Sequence, residues 1–307
     1  MNARRIANSL SENHLIAGVL LVLGGYFMFA LNDAMGKWLV ASFSVAQVLF
    51  VRSVGAFFVL APMIAKQGAE ALLRPERPGL QVLRVLLATL ETGLFYAAVT
   101  YLPLADVMTF YMAGPIFTAA LSYFFLGERV GWRRWLAISI GFVGVVIALR
   151  PTSAAFSLPS LFALLGSLSF SVIIILTRTL RNTSDTTLVT WQTAGALIAG
   201  AVFSLVSWQS PSALELGALL LLGVVSCCAH LMVTRSLKLA PASLLAPLQY
   251  TLMLWAIVFG WAFFGDVPDR QILVGSGIIV LAGLFIFHRQ KVVRKTISPS
   301  QVPLGPA

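Results

Sequence analysis

From Leu15 to His288 the chain alternates long apolar runs with short polar breaks, and the runs are close to about 20 residues each, the length at which a helix rising 1.5 Å per residue crosses a bilayer core. The pattern predicts ten spanning helices, over residues 15–39, 44–65, 80–101, 104–126, 132–149, 157–180, 186–208, 213–236, 239–264 and 271–288. Residues 1–14 then form a cytoplasmic N-terminal segment. Residues 289–307 lose the apolar character and read as a basic, disordered cytoplasmic tail whose cations can touch anionic lipid. The expected class is an all-α integral membrane protein.

Composition narrows the picture. Of 307 residues 59% are hydrophobic and 10% charged, against roughly 25% charged in a soluble domain, which excludes a water-soluble globule. The first apolar run exceeds the roughly 7–15 residues of a signal-peptide core and has no small-residue cleavage site, so it is expected to stay as the first span. Cys227 and Cys228 are adjacent inside an apolar run, where neither a relaxed disulfide nor metal-ligand spacing is available. They read as packing residues.

The net charge of +10 does not point to nucleic acid, because the bases lie in short loops and at the ends of apolar runs and form no single basic face. They sort by side instead. With the N-terminus inside, ten helices put every one of the 21 basic residues on the cytoplasmic side except Lys37, Arg150, Arg270 and the intrahelical Arg52. A miscounted helix would scramble that sorting. Both termini are therefore expected in the cytoplasm of a multi-pass protein of the inner membrane.

The chain also repeats itself. The corner "FLGERVGWRR", Phe125 to Arg134, returns as "FFGDVPDR", Phe263 to Arg270; "LLVLGGYFMFALNDAMGKWL" resembles "LFALLGSLSFSVIIILTRTL", with Gly25 matching Gly166 and Lys37 matching Arg178. Five helices separate the copies, and an odd number inverts the second relative to the first. The organisation predicted is thus two inverted five-helix halves, residues 15–150 and 151–288, related by an axis in the membrane plane. Pro115 precedes its corner by 12 residues and Pro247 by 18, so the halves are not expected to kink alike.

Inverted halves allow inward-open and outward-open states to interconvert around a central site, which is the physical basis of alternating access. The sequence offers no rival chemistry: no His-Cys metal spacing, no phosphate-cradling loop, no paired nucleophile and base. No enzyme activity, cofactor or metal is expected, and transport would be driven by gradients. A non-transporting receptor or scaffold would explain the inverted halves only as inheritance.

At "NDAMGKWL", the arginine of "LFVRSVGAF", "LPLADVMTFYMAGPIF", "LGERVGWRRWLAISIGFVGVVIAL" and "APLQYTLMLWAIVFGWAFFGDVP" followed by "GSGIIVLAGLFIF", the chain resembles EamA-type members of the drug/metabolite transporter superfamily. The second-half motifs look like the branch that includes S-adenosylmethionine and riboflavin carriers. The resemblance covers about Leu15 to His288 and implies two EamA repeats with a cavity lined by the third, fourth and ninth helices. It also implies that the fifth and tenth helices are peripheral, so the glycines of "GFVG" and "GSG" are assigned to packing.

Ionisable groups inside a bilayer cost about 2.5–3.5 kcal/mol on insertion scales, so each one is a candidate for function. Asp33 and Lys37, spaced i, i+4, form either a local pair or part of a substrate or proton site. Arg52 reads as a structural clamp, with Asp33 within reach. Glu91 is the deepest acid; burial penalises its charged form and makes it a candidate proton carrier or a helix-tying group. Asp106 follows Pro103 and reads as a helix cap. His230 is a proton group or a hydrogen-bonded interior residue.

Tyr96, Tyr111, Gln249 and Tyr250 combine flat faces with polar tips that suit a planar solute. Tyr101, Trp132, Trp135, Trp208 and Trp261 read as interfacial anchors. The candidate substrate site is Asp33, Glu91, Tyr96, Tyr111, His230, Gln249 and Tyr250, with Lys37 and Arg52 as structural charges. The expected function is secondary transport of a small organic metabolite, riboflavin or a similar heteroaromatic first, S-adenosylmethionine uptake next, amino-acid or drug export third. Expected partners are the solute, protons as coupling ion, and lipid, with the chain a monomer or homodimer.

Overall fold

The computed structural model describes residues 2–68, 70–73, 75–102, 104–128, 131–149 and 157–265, together with residues 270, 274–275, 277–278 and 281. The predicted tenth helix, the second copy of the corner beyond Gly265 and the basic tail lie outside the described residues. Those residues contain helices and no strand. In chain order the helices are α1 (Asn2–Val40), α2 (Val45–Gln67), the short α3 (Glu70–Leu73), α4 (Pro78–Tyr101), α5 (Leu104–Tyr111), α6 (Gly114–Leu126), α7 (Trp132–Leu149), α8 (Leu158–Thr179), α9 (Asp185–Ser204), α10 (Ala213–Leu239), α11 (Ala242–Leu245) and α12 (Thr251–Phe264). A 3-10 turn, Ala246–Tyr250, joins the last two. Seven stretches are long and apolar enough to cross a membrane, among them Asn13–Val40, Leu158–Thr179 and the composite Ala242–Phe264. The protein is a multi-pass membrane protein.

Local signals place most boundaries. The Ser44 hydroxyl accepts the Gln47 N–H at 3.3 Å, and at the corresponding start in the second half Ser184 accepts from Thr187 at 3.0 Å. Each side chain satisfies one amide that the first helical turn leaves open. At the opposite kind of terminus, α6 and α12 both stop on a glycine in the left-handed region, Gly127 at φ 64° and Gly265 at φ 71°. Only glycine takes that conformation without a steric cost, which is why "LGE" and "FGD" recur.

Two spans differ from expectation. The fourth breaks at Met112 and Ala113, between α5 and α6, and the ninth breaks at the 3-10 turn. Proline explains both: Pro115 sits in the first turn of α6, where its missing N–H costs nothing, and Pro247 lies within the 3-10 turn, where an α-helix could not continue. The halves are therefore broken at corresponding places although their prolines are not. Also, α1 begins well before the predicted span, since a helix that leaves the membrane can continue in water.

Packing pairs the halves with each other. The most extensive contacts are α1 with α10, α4 with α8, and α2 with α9 and α10. Exchanging the halves maps α1 onto α8, α2 onto α9 and α4 onto α10, and it carries the first contact into the second while leaving α2–α9 in place. Small residues set how close these helices come. A Cβ on Gly55 would overlap the Leu220 carbonyl oxygen, and one on Gly223 the Arg52 carbonyl oxygen, so α2 and α10 meet backbone to backbone.

Polar ties concentrate at one end of the bundle. Glu128, just past Gly127, accepts the Ala242 and Ser243 N–H groups at 3.2 and 2.8 Å and lies 3.7 Å from Arg178 Nε. Arg178 in turn donates to the Leu237 and Lys238 carbonyls, and Lys238 Nζ lies 2.6 Å from Asp185. At the other end Lys37 lies 5.0 Å from the Phe264 ring centroid. Arg84 is buried and donates to Thr177 Oγ1 and the Leu188 carbonyl, tying α4 to α8 and α9. Tyr101, Trp132, Trp208 and Trp261 are exposed near helix ends.

Candidate functional site

Helical spacing gathers polar groups onto the inward faces of several helices. Phe29 and Asn32–Asp33 lie one turn apart on α1, Glu91–Thr92 and Phe95–Tyr96 one turn apart on α4, and Ser226 and His230 one turn apart on α10. Together with Arg52, Met108, Tyr111, Phe170 and Leu252 they line a cavity of about 50 Å³ at the centre of the bundle, with walls from both halves. That volume holds a few waters. Solute pockets run to roughly 300–1,000 Å³, so this is a contracted form, and a solute enters only when the helices part.

The charges in the cavity are not neutralised by one another. Tyr111 donates to Glu91 Oε1 at 2.9 Å and Thr92 to Oε2 at 3.3 Å, while Asp33 Oδ1 accepts from Asn32 Nδ2 at 3.1 Å. Among the described residues neither carboxylate has a salt-bridge partner. Arg52 does not bond to Asp33 as its reach suggested. It donates through Nη1 to the Tyr96 hydroxyl at 2.8 Å and through Nη2 to Ser226 Oγ at 2.7 Å, linking α2 to α4 and α10. The cavity thus holds two carboxylates and one guanidinium, each hydrogen-bonded to neutral groups.

Aromatic rings frame these groups. Tyr111 meets Phe95 edge to face at 5.4 Å between centroids, and His230 meets Phe29 at 4.8 Å. The His230 ring nitrogens lie 3.1 and 3.3 Å from Gln192 Nε2. Behind Arg52, a second cavity of about 20 Å³ lies between α2, α4, α9 and α10, room for about one water, and shares Arg52, Thr92, Ser226 and His230 with the first. Asn32 Oδ1 and Gln192 Oε1 are buried without a hydrogen-bond partner.

Of the residues singled out in the sequence, Asp33, Arg52, Glu91, Tyr96, Tyr111 and His230 come together here. Gln249 and Tyr250 do not line the cavity. Gln249 lies against Gly114 and donates to the Tyr111 carbonyl at 3.3 Å, and the Tyr250 hydroxyl donates to the Ile138 carbonyl at 2.8 Å, so both brace the break in the ninth span. Lys37 lies over Phe264 while Asp33 faces the cavity. The Asp106 side chain lies outside the described residues. Sequence reasoning passed over Asn32, Thr92 and Ser226, whose signal was their spacing of one residue or one turn from a residue already chosen. Among the described residues no group of three His, Cys, Asp or Glu side chains is placed to hold a metal.

Comparison with known proteins agrees with this architecture. The EamA-like transporter family matches residues 16–150 and again 157–288. The chain is 28% identical over 275 residues to the S-adenosylmethionine uptake transporter of Rickettsia bellii (strain RML369-C), covering 87% of this chain and 94% of that protein. It is 27% identical to the riboflavin transporter of Rhizobium johnstonii (strain DSM 114642 / LMG 32736 / 3841), over 94% of this chain and 96% of the relative. It is also 27% identical to the pseudopaline exporter CntI of Pseudomonas aeruginosa (strain UCBPP-PA14), over 90% and 98%. A solved crystal structure superposes with a TM-score of 0.74 at 16% identity, over 94% of this chain and 99% of that one, a likeness of fold alone.

Proposed function

Because the chain belongs to the EamA-like transporter family, we propose that it is a secondary carrier of a small organic metabolite, working by alternating access between two inverted halves of five spans each. It sits in the inner membrane with both termini in the cytoplasm. The observation that carries this reading is the central cavity, whose walls come from both halves and which holds Asp33, Glu91 and Arg52 without ion pairs among them. Charges buried in a bilayer interior without partners are costly to keep for packing alone.

The same charges bear on the solute. Two carboxylates against one guanidinium favour a solute carrying positive charge, and S-adenosylmethionine is such a solute. Riboflavin is the second reading; it rests on the tyrosines and phenylalanines around the cavity, but Gln249 and Tyr250, which had favoured it, lie behind the wall. Glu91 is the group proposed to carry a coupling proton.

Uptake of labelled S-adenosylmethionine, riboflavin and tryptophan into proteoliposomes, with and without an imposed pH gradient, tests the reading. Saturable movement of one of them supports a carrier. No movement of any solute in either direction would favour a receptor or scaffold.

A further inference from the structure

We infer that the central cavity recognises a zwitterionic, amino-acid-like solute at both of its charges, with Arg52 receiving the carboxylate and the Asp33–Glu91 side receiving the cationic centre. This rests on the carrier reading for its location and goes beyond it in the substrate class and in the role of Arg52.

Three observations carry it. The Arg52 guanidinium is 7% exposed and lines the cavity, yet its two described hydrogen bonds go to neutral hydroxyls, on Tyr96 and Ser226. A guanidinium has five N–H donors in a planar fork that matches a carboxylate, so it retains both charge and donors for an anion. Second, Asp33 and Glu91 enter the same cavity from α1 and α4 with only neutral donors on them, from Asn32, Tyr111 and Thr92. Third, the carbonyl oxygen of Asn32, a residue 5% exposed, is buried beside Asp33 with no donor. It is an acceptor in want of an N–H.

A simple cation would answer the carboxylates and leave Arg52 unanswered; a simple anion would do the reverse. A neutral solute would answer neither. Only a molecule with separated opposite charges completes both sides, and the aromatic rings of Phe29, Phe95 and Phe170 then bound its remaining apolar or planar part. Tyr96 and Ser226 act as positioning residues, since each holds one nitrogen of the guanidinium at a fixed place.

The test measures binding to the purified full chain in lipid nanodiscs, so that it does not depend on translocation. S-adenosylmethionine, its decarboxylated amine and S-adenosylhomocysteine compete against one another, which removes the carboxylate and the sulfonium charge in turn. The carboxylate-bearing cation is expected to bind at least tenfold more tightly than the decarboxylated amine in the parent. Arg52→Gln should level that ratio, Arg52→Lys should restore part of it, and Ser226→Ala should narrow it while keeping the charge. Equal binding of the two in the parent overturns the inference, and so does a failure of all three to bind. Preserved discrimination in a folded Arg52→Gln protein also overturns it. Binding with the expected ratio but no flux in proteoliposomes would sink the carrier reading and leave this one standing; flux of riboflavin without binding of any zwitterion would do the opposite.

Discussion

The Tyr111 hydroxyl donates to Glu91 Oε1 at 2.9 Å, so a side chain from the short helix before the break in the fourth span holds the deepest acid of the third. The bond joins the wall of the cavity to the place where that wall is interrupted. Tyr111→Phe removes the donor and keeps the ring against Phe95. A hydrogen bond to a charged group is worth about 1.5–3 kcal/mol, so solute affinity should fall about tenfold or more with surface expression unchanged. Binding isotherms in detergent or nanodiscs check this; unchanged affinity would remove Tyr111 from the site.

Glu91→Gln separates proton coupling from solute binding. If Glu91 carries the proton, the variant should lose accumulation against a gradient and keep exchange of internal for external solute. Counterflow and pH-gradient-driven uptake, measured side by side, decide the matter. Identical pH dependence in variant and parent would take the proton away from Glu91.

At one end of the bundle, Glu128 and Arg178 tie the end of α6 to the ends of α8 and α10 and the start of α11. For the cavity to open at that end these ties must break. Arg178→Met should shift the resting population toward that opening. A cysteine at Leu245, buried at 2% exposure, reports on it in a background where Cys227 and Cys228 are alanine. Labelling by a membrane-impermeant maleimide should quicken severalfold in the variant, and only from the cytoplasmic face. An unchanged rate argues against a latch, and labelling from the outer face would invert the proposed orientation.

Gly223→Ala probes the α2–α10 crossing. The added methyl would overlap the Arg52 carbonyl oxygen, and backbone atoms cannot rotate away as a side-chain tip can. Overpacking of this kind costs about 1–3 kcal/mol, so the melting temperature in detergent should drop by several degrees. Gly217→Ala, where a Cβ meets nothing within 4 Å, is the control and should leave it unchanged.

Much of the spans and part of the site could be read before any coordinates. Hydrophobic length alone located α2, α4, α8, α9 and α10 to within a few residues, because lipid leaves a backbone no other way to satisfy its hydrogen bonds. The breaks in the fourth and ninth spans were not legible, since apolar length says nothing about where a proline falls within a helical turn. Asp33, Arg52 and Glu91 stood out because charge inside an apolar run is conspicuous. Gln249 and Tyr250 looked equally promising, but whether a polar tip faces a cavity or a neighbouring carbonyl depends on the local twist, and the 3-10 turn rotates both toward the backbones of α5 and α7. Ser226 was overlooked for the converse reason: a serine is unremarkable until a guanidinium points at it.

The glycine seam between α2 and α10 has a mechanical meaning. With no side chain between the backbones at Gly55 and Gly223 there is nothing there to compress or reorient, so these two rods travel together like a hinge plate. Arg52 and Ser226 ride on that plate from opposite sides of the joint. Motion during a transport cycle then falls to the seams filled by rotatable side chains, and the anion-reading guanidinium is carried through the cycle in fixed register with the serine that aims it.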